Sequence, residues 1–270
     1  MSRNHFLPRA HDARGHSGVG PRKRLSQNFL VDTGTARLLV HASGVGPEDL
    51  VLEIGPGAGM LTRQLAAAAG RVLAYEIDPR YAALLRKRYA GDATVRCFHA
   101  DFRSVTPPRE PFAVVANIPY ASTTDIVRWC LAARHMTSAT LLTQWEFARK
   151  HSGDYGRWSK LAVTHWPTTE FAMGPRVDRT RFRPVPRVDS AVLHLRNRSR
   201  PLLAKEALRG YRRLVELGFS GVGGSLAASL ASEFPARRVR AACRSAGVPA
   251  DQPVGTVDPD RWIALYKSLS

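Results

Sequence analysis

With 270 residues, 44% of them hydrophobic, the chain is long enough for a full α/β domain with a smaller companion, which excludes wholesale disorder. Forty Lys and Arg against 22 Asp and Glu leave a net charge of +18, which favours a polyanionic partner, nucleic acid ahead of an acidic membrane surface. No apolar run approaches the roughly 18–20 residues that a bilayer span needs, so no membrane insertion is expected.

Residues 1–24 hold six basic residues against one acid and have no apolar segment, which reads as a basic flexible tail and not as a secretory signal. From Leu25 short apolar runs alternate with helical stretches, the pattern of parallel strands joined by crossover helices. Residues 51–54 read as a buried strand, 55–59 as a glycine turn and 60–69 as a helix stopped by Gly70 at its left-handed cap position. Residues 71–76 give the next strand. Asp78-Pro79, a cap followed by proline, starts a helix that runs to about Tyr89. Strands follow at 94–99 and 112–116, leading into Asp101 and Asn117, then a helix at 123–132 and a strand at 139–143. Residues 161–170 and 189–195 are strand-like, whereas prolines 175, 184 and 186 exclude regular structure over 174–187. Beyond Arg196 strand signals cease, and 204–219, 225–233, 237–246 and 259–269 read as helices. The expected fold is α/β, a Rossmann-like sheet domain over 25–196 followed by a small all-helical domain over 197–270.

Two features point to a ligand at the carboxyl edge of that sheet. Glu53-Ile54-Gly55-Pro56-Gly57-Ala58-Gly59 sits at a strand-to-helix turn, where Gly55 and Gly57 let the backbone turn sharply and a ligand approach closely. The spacing is GxGxG; it lacks the third-glycine position of dinucleotide sites and the Gly-Lys-Ser/Thr of phosphate loops, which disfavours a nucleotide-dependent oxidoreductase. Glu76 and Asp101 end the next two strands, where one carboxylate suits a ribose diol and the other an adenine amino group. The alternatives are an arginine pair at Glu76 and a helix cap at Asp101.

Asn117-Ile118-Pro119-Tyr120 follows the fourth strand directly and forms the candidate reactive centre. An exocyclic adenine amine is a poor nucleophile because its lone pair is delocalised into the ring. The Asn117 side-chain oxygen and a main-chain carbonyl around Ile118 can hold both amino protons and favour a pyramidal nitrogen. Pro119 stiffens the turn and adds no competing donor. Tyr120 offers a face on which a base can stack.

Here the sequence resembles the rRNA adenine N6-methyltransferases, which comprise the erythromycin-resistance (Erm) enzymes of 23S rRNA and the dimethylases of small-subunit rRNA. Leu25-Ser26-Gln27-Asn28-Phe29-Leu30, the glycine motif, Glu76-Ile77-Asp78, His99-Ala100-Asp101, the Asn117 tetrapeptide and residues 182–190 match in order, over roughly Arg22 to Leu195. Residues 124–129 and 144–159 are similar to the Erm branch in particular. The resemblance implies S-adenosylmethionine as methyl donor and methylation of one 23S rRNA adenine, with resistance to macrolides, lincosamides and streptogramin B. It implies that Asn28 and Leu30 line the methionine end of the cofactor, with Asn117 also at the cofactor, and that Phe182 stacks on the target base opposite Tyr120. Ala121 departs from the Asn that many relatives carry, which bears on substrate fit. After Leu195 the match is only helical and basic.

Arg22, Lys23, Arg24, Arg196, Arg198, Arg200, Arg212 and Arg213 are the candidate phosphate contacts, with a solvated surface charge as the alternative for each. Cys97, Cys130 and Cys243 are far apart, and the nine histidines do not cluster, so a reduced cytoplasmic protein without a structural metal is expected. The spacing says nothing of oligomeric state, for which a monomer is the expectation. A small-subunit rRNA dimethylase and an RNA-binding protein that has lost catalysis are the competing functions.

Overall fold

The structure is a computed structural model that describes residues 28–221 and 224–270. The expected basic tail, with Arg22, Lys23 and Arg24, lies outside the described residues. A two-residue strand β1 (Phe29–Leu30) opens the chain and is followed by helix α1 (Thr33–Ser43). Then come β2 (Leu50–Ile54), α2 (Met60–Ala66), β3 (Arg71–Glu76), α3 (Pro79–Arg88), β4 (Val95–His99), β5 (Phe112–Asn117), α4 (Thr123–Ala132) and β6 (Met136–Gln144). Helices α5 (Trp145–Ser152) and α6 (Lys160–His165) lead to β7 (Thr169–Val177), the short β8 (Phe182–Arg183) and β9 (Ser190–Asn197). Four helices finish the chain: α7 (Ala207–Gly218), α8 (Leu226–Leu230), α9 (Ala236–Ser245) and α10 (Pro259–Leu269).

Seven strands form one sheet in the order β4-β3-β2-β5-β6-β9-β7, parallel up to β6 and antiparallel at β9 and β7. β1 and β8 pair separately as an antiparallel ribbon. The strand order reverses between β2 and β5, which opens a crevice beyond their carboxyl ends. β2 is apolar along most of its length because both its faces are covered. Leu50, Leu52 and Ile54 pack with Val114, Leu141 and the α4 residues Ile126 and Cys130. Val51 enters a second core with Val72, Val115, Leu39 of α1 and Leu65 of α2.

Local chemistry explains most element boundaries. Asp78 accepts from the Arg80 amide with Pro79 in the first turn of α3, and Asp258 accepts from the Asp260 amide ahead of Pro259 in α10. Gly70 is not in the left-handed region. A Cβ there would collide with the Pro47 carbonyl oxygen, so close approach is what requires glycine.

Two sequence expectations are corrected. Residues 161–170 are not one strand, because Ser159 caps α6 by accepting from the Ala162 amide, and β7 begins only at Thr169. Regular structure also enters 174–187: β7 continues through Gly174-Pro175 to Val177, and β8 forms at Phe182. Proline is tolerated there because β7 is an edge strand whose register against β9 shifts between Met173 and Arg176, freeing Pro175 from the ladder.

The four terminal helices share a third core built on Trp262, Tyr211, Leu226 and Leu230. Val163 of α6 belongs to this core, and Trp158 and Trp166 touch both it and the sheet core. The Tyr211 hydroxyl donates to the Val163 carbonyl at 2.9 Å, and the Trp166 indole donates to Asp260 at 2.8 Å. Among the described residues no helix is long and apolar enough to cross a membrane.

Trp262 is fully buried and stacks on Phe219 with ring centroids 5.6 Å apart. Trp262→Ala is expected to cost about 3–5 kcal/mol in urea denaturation. Trp262→Phe, which keeps an aromatic and removes an indole N–H that has no partner among the described residues, should lose less.

Candidate active site

The crevice at the strand-order reversal is a cleft of about 400 Å³ lined by the ends of β1, β2, β3 and β5 and by the segments that follow β4 and β5. Asn28, Leu30, Gly55, Gly57, Glu76, Asp101, Asn117, Pro119 and Tyr120 all line it, so nine residues singled out in the sequence converge on one space.

Its floor is the glycine turn after β2. Gly55 and Gly57 have φ of 65° and 55°, and a Cβ on Gly57 would lie 2.9 Å from the Phe29 ring. Glu76, 2% exposed at the end of β3, braces this turn: one carboxylate oxygen accepts from the Gly57 amide at 2.9 Å and the other from the Asp78 amide at 2.8 Å. Two of roughly four acceptor positions on the carboxylate are thereby used, which leaves about two as acceptors at the cleft. Asp101 does cap, accepting from the Arg103 amide, and pairs with the Arg103 guanidinium, which holds its carboxyl below the usual carboxylate range. The cap and the cleft are therefore compatible at Asp101.

Glu53 was read only as part of the motif, and the structure makes it distinctive. It is 1% exposed, one of its carboxylate oxygens has no partner among the described residues, and Glu76 lies near. Burial pushes its carboxyl up to about 8, opposed by Thr62 and reinforced by the Glu76 charge.

Asn117 ends β5 with its side-chain Nδ2 donating to the Asn28 carbonyl at 3.0 Å. The amide orientation follows from that bond, since the opposite one would set oxygen against oxygen. Oδ1 is left as an acceptor without a partner among the described residues. The Pro119 carbonyl is engaged by the Ser122 amide at 3.0 Å and the Thr123 hydroxyl at 3.3 Å, whereas none of the described hydrogen bonds engages the Ile118 carbonyl. Of the main-chain carbonyls around Ile118, its own is thus the one left unengaged among the described residues. Tyr120 shares a 2.8 Å hydrogen bond between its hydroxyl and that of buried Ser190, which tethers the ring at the cleft.

Phe182 departs from expectation. Its ring is fully buried in the core with Leu30, Val177 and Val192, it pairs with Leu30 across β8 and β1, and it does not line the cleft. In this arrangement it is a core aromatic beneath the proline loop, not a face offered to a base.

The candidate phosphate contacts also separate. Asn117 lies opposite Leu142 and Ser190 opposite Gln144, at the cleft end of β6, but Arg196 lies opposite Ser138 at its far end. Six residues of strand, about 20 Å, lie between. Arg198 and Arg200 continue away from there, and Arg198 donates to the Trp166 carbonyl with its guanidinium over the Trp166 ring. Arg213 pairs with Glu233, and Arg212 is exposed on α7. The cations at the cleft edge are instead Arg176, Arg179, Arg181, Arg183 and Arg187, on or just after the end of β7 that faces Ser190. Five arginines within twelve residues of a proline loop were visible in the sequence, but only the strand register shows which edge they occupy. On α9, Arg237, Arg240 and Arg244 share one exposed helical stripe.

Comparison with known proteins gives the family of the chain. A family model described as ribosomal RNA adenine dimethylase matches residues 20–270. The chain is 50% identical over 249 residues to an rRNA adenine N-6-methyltransferase of Aeromicrobium erythreum, covering 92% of this chain and 73% of that one. It is 37% identical over 254 residues to the mycinamicin-resistance protein MyrB of Micromonospora griseorubida, covering 92% and 79%. The crystal structure of the 23S rRNA methyltransferase ErmE matches with a TM-score of 0.86 at 48% identity, over 90% of this chain and 99% of that chain.

Because the folded Glu53 holds its proton up to about 8 while an ordinary, unfolded carboxyl releases it near 4.5, folding is progressively disfavoured as pH rises between those values. Glu53→Gln is expected to raise the Tm at about pH 8, with a gap over wild type that closes towards about pH 5. A gap that does not change between the two would show that Glu53 does not titrate in this way.

Proposed function

Because the chain belongs to the ribosomal RNA adenine dimethylase family and is an rRNA adenine N6-methyltransferase, we propose that its target is one adenine of 23S rRNA and that its methylation confers macrolide, lincosamide and streptogramin B resistance. The likeness to ErmE and to the mycinamicin-resistance protein supports that address over the small-subunit alternative. The observation that carries the chemistry is the pair of unengaged acceptors at the cleft, Asn117 Oδ1 and the Ile118 carbonyl, with the Tyr120 ring tethered beside them.

In this reading both acceptors take the two hydrogens of the adenine N6 amine. Drawing those hydrogens to one side weakens conjugation with the ring and turns the nitrogen lone pair into the cleft. Tyr120, held by Ser190, stacks on the base and fixes its plane. Glu76 would accept from the ribose hydroxyls of S-adenosylmethionine and Asp101 from its adenine, and Asn28 and Leu30 would line its methionine end. The glycine turn fits that molecule because a Cβ on Gly57 would already crowd Phe29. S-Adenosylmethionine held there would supply an electrophilic methyl group. The protein's own contribution is orientation and hydrogen bonding, with no covalent enzyme intermediate. A splayed or single-stranded adenine is required, since duplex RNA hides this amine. The arginines of 176–187 meet the flanking phosphates, and those of α7 and α9 meet more distant ones.

Mapping the methylated nucleotide after expression in a susceptible host, with macrolide sensitivity read in parallel, tests the proposal; methylation confined to small-subunit rRNA would refute it. Asn117→Ala should lower labelled-methyl incorporation by roughly 100-fold or more. Gly57→Ala should weaken S-adenosylmethionine binding in calorimetry, with rRNA affinity in filter retention unchanged.

A further inference from the structure

A second group of aromatic and cationic side chains sits beside the cleft and takes no part in the chemistry above. Trp145 is the first residue of α5, and its amide donates to the Asp189 carbonyl at 3.0 Å, one residue before the Ser190 that tethers Tyr120. Two guanidinium groups lie over its ring: Arg176, 3.7 Å from the centroid, and Arg149, 4.8 Å from it. Arg149 also packs over the ring of Tyr155 and pairs with Asp154. The Arg149 side chain is only 14% exposed, while Tyr155 above it is 51% exposed.

Tyr155 is held on a rigid support. It lies in a turn between Gly153 and Gly156, with φ of 76° and 63°, closed by a 2.9 Å bond from the Gly156 amide to the Gly153 carbonyl. A Cβ on Gly153 would run into the Trp158 ring, and the Trp158 amide is itself bonded to the Gly255 carbonyl. An outward aromatic ring backed by a cation, on a glycine-bounded turn that Arg149 links to Trp145 at the cleft end of β6, has the properties of a stacking platform. Around it Lys150 and Arg157 are exposed and make no ion pair among the described residues, while Glu146 is the acid not engaged by an arginine.

We propose that Tyr155, backed by Arg149 and Trp145, stacks on an unpaired RNA base that flanks the target adenine, with Arg176, Lys150 and Arg157 on the adjoining phosphates. Base–aromatic stacking tolerates any base, so this contact adds affinity and alignment and leaves sequence choice to other groups. The proposal rests on the RNA substrate proposed above and adds a second base-binding position to it.

The test measures binding of a 23S rRNA transcript by filter retention, without cofactor, and methyl transfer to the same transcript. Tyr155→Ala should raise the transcript Kd and the KM for RNA about ten-fold, as loss of one base–aromatic stack does. S-Adenosylmethionine affinity, Tm and kcat at saturating RNA should stay at wild-type values. Tyr155→Phe and Tyr155→Trp, which keep a flat ring, should bind within about two-fold of wild type. An unchanged Kd for Tyr155→Ala, an equal loss in Tyr155→Phe, or a parallel fall in Tm and cofactor affinity would each overturn the proposal. If the wild type transfers no methyl to 23S rRNA, the function proposed above falls, while the Kd series still decides the role of Tyr155.

Discussion

The arrangement of the cleft depends on one hydrogen bond, from the Asn117 amide nitrogen to the main-chain carbonyl of Asn28. An amide can present either its oxygen or its nitrogen, and only the oxygen is useful to an amine nucleophile. The carbonyl removes the choice. It is held in place by β1, which is anchored through buried Leu30 against buried Phe182 of β8. The Val31 amide donates to the Arg181 carbonyl and Arg181 pairs with Asp32, so the segment that carries Asn28 is tied to the arginine-bearing loop. Phe182 therefore packs beneath the segment that carries Asn28, and 89 residues of chain separate the two asparagines that meet there.

Charge is distributed unevenly about this centre. The net +18 says that a polyanion is welcome, but not where. The antiparallel turn-back of β9 sends Arg196, Arg198 and Arg200 to the edge opposite the cleft, and the return of β7 brings Arg176 and the loop after it to the cleft end of the sheet. Cations two dozen residues apart in sequence thus face different ends of the sheet. Several are also partly neutralised by acids, as Arg176 is by Asp189 and Arg213 by Glu233, whereas the α9 stripe makes no ion pair among the described residues.

Much of this was legible in the chain. The β2–turn–α2 unit, the acids ending β3 and leading on from β4, and the tetrapeptide after β5 carry their geometry locally, in glycine, capping and strand-end signals, and they fell where expected. What was illegible depends on partners remote in sequence. Leu161, Ala162 and Val163 are as apolar as a strand, and only the cap from Ser159 and the packing of Val163 against the terminal helices make them helical. Pro175 excludes a central strand but not an edge strand with a register shift. Phe182 in a motif that resembles the family's can be read as a base contact until its burial against Leu30 is seen. The raised proton affinity of Glu53 comes from its depth and from Glu76 on the neighbouring strand, neither of which a single sequence displays.

The contact between residues 28 and 117 is made on one side by the backbone. Every amino acid supplies the same carbonyl, so replacing side chains one at a time would find position 117 sensitive and leave the contribution of its partner silent. Only changes that move the main chain, such as an insertion or deletion next to β1 or a reshaped core beneath Leu30, would expose it. Variation at position 28 is thus a poor guide to how much the reaction relies on that stretch of chain.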